Sequence, residues 1–354
     1  MIDQGWDAAR RISAVRLDGM EDLLMTGPAP CALKDAVPGR AMTALISPAG
    51  AACAALLPEI DDSIVHEAPW MKGGKADAKA DHALMGDLRA QGFDGAVVFT
   101  VFSQYPRPAA LMCHMAAIPR RAAHCRENPY ALLTTWITER EPQEGMRHEA
   151  ERQPALAGHL GATLADDGLK IRLAQRFREL GAAYRRDARP LVIPHPGASA
   201  PSRRYPEASC AAGLRALEQE TEAALILAGT EDERALLERI RLAAASEARV
   251  ACGVSLGEFA GLLDAADVVV TNNTGPAHPA AAVVVLYALT NPQHAPWRAM
   301  ARVLSADVPC RNCFQSVCTS GHHRCLEDVR PRQVVNAVIE LLQEGADARR
   351  RASC

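Results

Sequence analysis

The sequence predicts an α/β protein built from two parallel-sheet domains. Three observations carry this. The 354 residues are long for a single hydrophobic core, which favours two domains. Short apolar and β-branched runs alternate with helical stretches along the chain, the rhythm of βαβ units. In the second half, three strands run directly into polar turns, and in a parallel sheet such turns share one edge.

Bulk composition narrows the function. Apolar residues make up 49% of the chain, ample for burial. A net charge of −3 and 4% aromatic residues give no footprint for nucleic acid and no base-stacking platform. No run of 18 apolar residues exists, so no spanning helix is expected. Met1 to Arg11 mixes charges of both signs without an apolar stretch, which does not read as a signal peptide. Eleven cysteines, an odd number, suggest reduced thiols and a cytoplasmic protein rather than a disulfide framework.

In the first half, Ile12 to Leu17 reads as a strand. It ends in the acidic turn Asp18-Gly-Met-Glu-Asp22, with a helical pattern continuing through Leu33. Asp22 fits either a helix N-cap or a carboxylate at the ligand edge of a sheet. Ala41–Ser47 and Ser63–His66 are further strands, separated by a helix over Pro48–Leu57. Met71–Asp81 is a loop and His82–Gln91 a helix. Asp94–Phe99 is a strand, followed by a polar turn at Thr100–Gln104 and a helix over Pro108–Ala117. Arg107, Arg120, Arg121 and Arg126 are either a solvated face or a patch for an anionic acceptor or membrane surface. Glu127 to Gly145 reads as a surface excursion. Helices follow over Arg147–Leu160 and Leu169–Leu180. The polar stretch Gly181–Arg189 places the boundary between domains 1–186 and 187–354.

In the second half, Leu191–His195 is a strand opening onto the loop Pro196-Gly-Ala-Ser-Ala-Pro-Ser-Arg-Arg-Tyr-Pro206. Ser199, Arg203 and Arg204 in this loop suit a diphosphate, because guanidinium forks match phosphate oxygens in pairs. A helix over Ala208–Glu218 and a strand over Ala223–Ala228 lead to the acidic turn at Glu231. A carboxylate there is placed to accept from ribose hydroxyls. A helix over Arg234–Ala245 follows. Ser255 and Glu258 form a capping box ahead of the helix Phe259–Leu263. Val268 to Val270 is a buried strand, and Thr271, Asn272, Asn273, Thr274, Gly275, Pro276 and His278 form a turn. Pro276 is placed to start a helix whose N-terminus would face an anion. One nucleotide can satisfy all three turns. Val283–Leu289 is a strand after an unusually short interval, and Thr290–Trp297 is a polar loop. Cys310, Cys313, Cys318 and Cys325, with His322 and His323 nearby, have a spacing compatible with structural zinc or with a cluster of reduced thiols. The last helix spans about 331–344, opened by Pro331, and the residues after it are expected to fray.

These segments, taken together, resemble glycosyltransferase family 9, the lipopolysaccharide heptosyltransferases. The resemblance rests on Arg16-Leu-Asp-Gly-Met-Glu-Asp-Leu-Leu-Met-Thr-Gly-Pro28, Phe102-Ser-Gln, His124-Cys-Arg-Glu-Asn-Pro-Tyr130, Arg147-His-Glu, the 195–206 loop, Ser255-Leu-Gly-Glu-Phe, Asn273-Thr-Gly-Pro-Ala-His278, and the closing cysteine motif. It covers nearly the whole chain in the same order.

The resemblance implies a GT-B fold, two Rossmann-like domains with a cleft between them. The N-terminal domain would take an acceptor on the lipid A core, and the C-terminal domain ADP-heptose. The last helix could return to the first domain. Transfer would be inverting, with no metal or other cofactor required, at the cytoplasmic face of the inner membrane through peripheral contact. Asp22 matches the general base and Arg203 the diphosphate contact. Thr274, Gly275 and His278 match the phosphate turn, and Glu231 the ribose carboxylate. Glu21 stands where the family has glycine, Asn273 where it often has aspartate, and the segment at 279–283 is shortened. Two other readings stay open: a nucleotide-sugar-binding protein with weak or lost activity, and a transferase using a different donor.

Overall fold

The computed structural model describes residues 5–352 apart from 167, 279 and 281. The chain forms two compact units, Met1–Arg172 and Leu173–Cys354.

The first unit holds strands β1 (Arg11–Arg16), β2 (Ala41–Ile46), β3 (Asp62–Val65), β4 (Gly95–Val98), β5 (Arg120–Cys125) and β6 (Thr135–Thr138). Its helices are α1 (Met20–Thr26), α2 (Pro28–Ala36), α3 (Pro48–Ala54), α4 (Ala78–Ala90), α5 (Arg107–Met115) and α6 (Glu149–His159). All six strands pair in parallel, in the order β3-β2-β1-β4-β5-β6. The expected helix through Leu33 is broken at Gly27. A Cβ there would stand 2.6 Å from Glu59 Oε1.

The second unit holds β7 (Leu191–His195), β8 (Ala224–Gly229), β9 (Arg249–Cys252), β10 (Val268–Asn272), β11 (Ala282–Leu286) and β12 (Met300–Leu304). Its helices are α7 (Gln175–Tyr184), α8 (Glu207–Glu220), α9 (Arg234–Ala244), α10 (Leu256–Asp264), α11 (Arg324–Glu327) and α12 (Pro331–Ala352). The order β12-β11-β10-β7-β8-β9, again all parallel, repeats that of the first sheet.

The repeat extends to single side chains. Asp94, just before β4, accepts from the backbone N–H groups of Arg10 and Arg11 at 2.7 and 2.8 Å. Asp267, just before β10, accepts from the Leu191 N–H at 2.8 Å. Each aspartate anchors the start of its sheet's first strand. In both sheets the strand order reverses there, between β1 and β4 and between β7 and β10. Open α/β sheets bind ligands outside the carboxyl ends of the strands at that point.

The boundary falls earlier than the expected 186/187. Arg172 is tied to the first unit through its N–H on the Leu56 carbonyl at 2.6 Å. Helix α7 belongs to the second unit because it meets α10 backbone to backbone. A Cβ on Gly181 would lie 1.9 Å from the Gly261 carbonyl oxygen, and one on Gly261 2.0 Å from that of Phe177. Residues 169–174, expected to be helical, are not.

Strands β5, β6, β9 and β12 were not anticipated. Strand β5 accounts for part of the arginine cluster. Arg121 is buried, and its guanidinium donates to the carbonyls of Ile118, Ala131 and Leu132. Arg126 donates to the carbonyls of Phe102 and Glu141, and Arg107 pairs with Glu127. Their charges serve the local backbone and a neighbouring carboxylate rather than an open anion patch. Helix α12 runs past 344 to Ala352, and Val334, Val335, Ala337, Val338 and Leu341 lie in the second unit's core. Among the described residues, no helix is long and apolar enough to cross a membrane.

Candidate active site

At the switch point of the first sheet, a single buried guanidinium meets three carboxylates. Arg16, 1% exposed, lies 3.0 Å from Asp18, 3.2 Å from Asp22 and 3.5 Å from Glu149. Gln153 Nε2 donates to the same Glu149 oxygen at 2.6 Å and to the Thr100 carbonyl at 3.1 Å. Arg152 donates to that carbonyl at 3.0 Å while pairing with Glu139 and Glu141. These bonds fix the start of α6 beneath the end of β4. His124 on β5 is neutral, its pKa pushed down to about 2 by burial and by Arg152 and Arg147.

Asp22 is oriented from both sides. Oδ1 accepts from Arg16 Nη2 at 3.2 Å and Oδ2 from the Gly19 N–H at 3.2 Å. Gly19 holds the N-cap position of α1, and Asp22, at the third helical position, reaches back to its N–H. Asp18 was read only as part of the acidic turn. Its side chain is 7% exposed, and burial pushes its carboxyl up to about 6, against the pull of Arg16. Asp18 also borders a cavity of about 270 Å³ shared with Trp70, Thr100, Ser103, Gln104 and Tyr105. The available signal was its place, two residues after a strand-ending arginine.

In the second sheet, the turn after β10 is built around two asparagines with different tasks. Asn272 latches the β7 loop: Nδ2 donates to the carbonyls of Pro196 and Gly197 at 2.7 and 3.2 Å, and Oδ1 accepts from the Tyr205 N–H at 3.1 Å. Asn273 is 1% exposed, yet neither amide atom has a hydrogen-bond partner among the described residues. Buried amides are rarely left in that state. Arg203 Nη1 donates to the Asn273 carbonyl at 3.4 Å, and Thr274 Oγ1 lies 3.4 Å from Thr271 Oγ1. Pro276 and His278 are buried. Asn273, Thr274, Gly275 and Arg203 thus come together.

The helix expected from Pro276 does not form. Gly275–Ala277 is a single 3-10 turn, closed by the N–H groups of Ala277 and His278 on the carbonyls of Thr274 and Gly275. So short a turn carries little dipole, and an anion there would meet side chains and local N–H groups instead.

Other expected contacts are placed differently. Arg204 is exposed and clips its own loop through Nε on the Ala198 carbonyl at 2.7 Å; Ser199 is exposed. Glu231 is exposed and forms a two-point pair with Arg234 at 2.6 and 2.8 Å. The neighbouring Glu233 lies over the β7 and β8 turns: a Cβ on Gly197 would stand 2.0 Å from its Oε1, and one on Gly229 2.9 Å from its Oε2. Its charge opposes the burial that lowers the pKa of His195. The capping box between Thr230 and Glu233 was its sequence signal.

Cys310, Cys313, Cys318 and Cys325 are reduced and line a small cavity with His322 and His323. Among the described residues, no three such groups converge as metal ligands. His323 Nε2 lies 2.7 Å from the Ser202 carbonyl oxygen, and His322 Nδ1 accepts from the Arg324 N–H at 3.1 Å. Ser202 N–H and Oγ donate to Ser316 and Gln315 carbonyls, so this loop braces the β7 loop.

Two six-stranded parallel sheets, each with a polar turn at its own switch point, form the GT-B type of fold. The profile of glycosyltransferase family 9 (heptosyltransferase) matches residues 82–323. The chain belongs to this family. A family 9 glycosyltransferase structure from Veillonella parvula aligns with TM-score 0.77 at 19% identity, covering 95% of this chain and 97% of that one. The E. coli ADP-heptose LPS heptosyltransferase II aligns with TM-score 0.72 at 22% identity, covering 94% and 99%. These likenesses establish the fold. Lipooligosaccharide heptosyltransferase 2 of Campylobacter jejuni is 32% identical over 83 residues, 22% of this chain and 26% of that protein. The match thus spans about a quarter of that relative's length.

Proposed function

We propose that the protein transfers heptose from ADP-heptose to a sugar of the lipopolysaccharide inner core, with inversion and without a metal. The observation that carries this is the buried Asn273 amide, unpartnered among the described residues, beside Arg203 and Thr274 at the second sheet's switch point. A diphosphate is rich in acceptor oxygens, which supplies what the Asn273 Nδ2 donor lacks. Solved relatives support the donor: the E. coli heptosyltransferase WaaC was crystallised with ADP-2-deoxy-2-fluoro heptose and with ADP.

In this reading, the Asp22 carboxylate takes the proton of an acceptor hydroxyl as its oxygen attacks the anomeric carbon. The bond from that carbon to the β-phosphate oxygen breaks, and ADP leaves. Arg203, Thr274 and His278 stabilise the charge that grows on the leaving diphosphate. The acidic turn at Glu231 to Glu233 takes the ribose hydroxyls. In this reading the work takes place at the cytoplasmic face of the inner membrane.

The test is a donor screen with a heptose-free core acceptor in the presence of a chelator. A product heavier by one heptosyl group, formed from ADP-heptose, supports the reading. Transfer from another nucleotide sugar, or a need for added metal, overturns that part of it. The short 3-10 turn favours one alternative, binding without transfer, which would show as ADP-heptose affinity with no ADP released.

A further inference from the structure

We propose that the loop between β12 and α11, residues 305–323, is a positioning element of the donor site: it holds Ser202 so that Arg203 is aimed at the diphosphate. This deepens the proposed transferase reading and rests on it, since that reading gives Arg203 its ligand.

The N–H, the hydroxyl and the carbonyl of Ser202 are all committed to this loop. The N–H donates to the Ser316 carbonyl at 3.1 Å, and Oγ donates to the Gln315 carbonyl at 2.7 Å. The Ser202 carbonyl has His323 Nε2 at 2.7 Å. A carbonyl oxygen only accepts, so His323 carries a proton on Nε2 and donates it. Ser202 is buried, and hydrogen bonds shielded from water are electrostatically stronger. The hydroxyl and carbonyl partners lie 113 and 121 residues away along the chain, so these bonds join two distant segments.

The loop can serve as a brace because it is itself anchored. The Asn312 N–H donates to the Leu289 carbonyl at 2.6 Å, and the Phe314 N–H to the Thr290 carbonyl at 2.8 Å. Both acceptors follow β11, the neighbour of β10, and β10 leads into the Asn273 turn. Asn312, Phe314 and His323 have left-handed backbone, with φ of 60°, 53° and 44°. Residues with side chains persist in that conformation where the surroundings impose it.

On its other side Ser202 is the middle residue of the 3-10 turn Pro201–Arg203, closed by the Arg203 N–H on the Ala200 carbonyl at 2.9 Å. Its orientation therefore sets the direction of the Arg203 stem. Arg203 Nη1 reaches the Asn273 carbonyl at 3.4 Å, beside the buried Asn273 amide. An arginine has many rotamers to lose, and a fixed stem lowers the entropy lost when it grips a phosphate.

The experiment measures the dissociation constants of ADP and of adenosine for the wild type and for Ser202→Ala, Ser202→Thr, His323→Leu and His323→Gln. Ser202→Thr keeps the hydroxyl, and His323→Gln keeps an N–H donor near the place of Nε2. ADP affinity should fall by about 3- to 10-fold in Ser202→Ala and His323→Leu, the effect of one hydrogen bond. It should return toward the wild-type value in the two conservative variants. Adenosine lacks the diphosphate, so its affinity should not move. With Arg203→Ala already in place, His323→Leu should add no further loss. Thermal melting identifies the folded variants, and Ser202→Ala, which removes a single oxygen, carries the test if His323→Leu does not fold. Unchanged ADP affinity in Ser202→Ala and His323→Leu overturns the proposal. An equal loss for adenosine overturns it too, as does a full further loss in the absence of Arg203. If the wild type does not bind ADP, the donor reading has failed and this proposal falls with it. Wild-type ADP binding with unresponsive variants removes the positioning role alone.

Discussion

Arg16 Nη2 lies 3.2 Å from Asp22 Oδ1, and the arginine is almost wholly buried where the first strand ends. The guanidinium fixes the orientation of the carboxylate proposed as the base, and it neutralises part of a crowded acidic cluster. Replacing it by Met leaves Asp18, Asp22 and Glu149 without their shared cation. Breaking a buried ion pair from one side costs about 3–5 kcal/mol. Chemical denaturation of Arg16→Met should show a loss of that size in the first unit; a variant as stable as the wild type would show the cluster to be solvated.

In the second unit, donor affinity should depend on Arg203 and on Glu233 more than on Glu231. A hydrogen bond to a charged group contributes about 1.5–3 kcal/mol, so Arg203→Ala should weaken ADP binding by roughly 10- to 100-fold. Glu231 is exposed and paired with Arg234, whereas Glu233 lies over the two glycine turns. Calorimetry on Glu231→Gln and Glu233→Gln should find the larger loss in Glu233→Gln. The reverse order would return the ribose contact to Glu231.

The glycine crossing between α7 and α10 predicts a structural failure of its own. Alanine at Gly181 or Gly261 forces a Cβ onto a carbonyl group. Overpacking of this kind costs typically 1–3 kcal/mol, and more where backbone must move. Thermal unfolding should lose stability in the second unit while the first is untouched. An unchanged melting profile would place the boundary after α7.

Glu59 sets a pH dependence. Burial pushes its carboxyl up to about 7, with Arg172, Lys170 and Lys34 pulling the other way. Its folded-state pKa lies above the unfolded one, so the neutral form is favoured by folding. That contribution is complete below the ordinary value of 4.5 and is lost as pH rises through about 7. Glu59→Gln should flatten the decline in unfolding free energy over this interval. A decline of the same slope in the variant would assign it to another group.

The sequence made the central strands legible because they are uninterrupted apolar runs: Val268 to Val270 is buried on both faces. Strand β5 begins with two arginines, and nothing in the sequence announces that one of them folds back onto carbonyls 3 and 11 residues away. Strands β9 and β12 are short and only part-buried, so little apolar patterning marks them. Asp22 stood out because a helix begins there. Asp18 carries the same residue type four positions earlier, and only the folded chain shows that β1 and β4 close a cavity on it. The contrast between Asn272 and Asn273 was equally hidden, since adjacent identical side chains took opposite fates when the β7 loop claimed one of them.

The most direct measurement is turnover of Asp22→Asn with ADP-heptose and core acceptor, with ADP affinity determined on the same preparation. Removing a general base costs about 10²–10⁴ in rate, so transfer should fall by that factor while ADP binds as tightly as before. Near-normal turnover with intact ADP binding would contradict the assignment of Asp22 as the base.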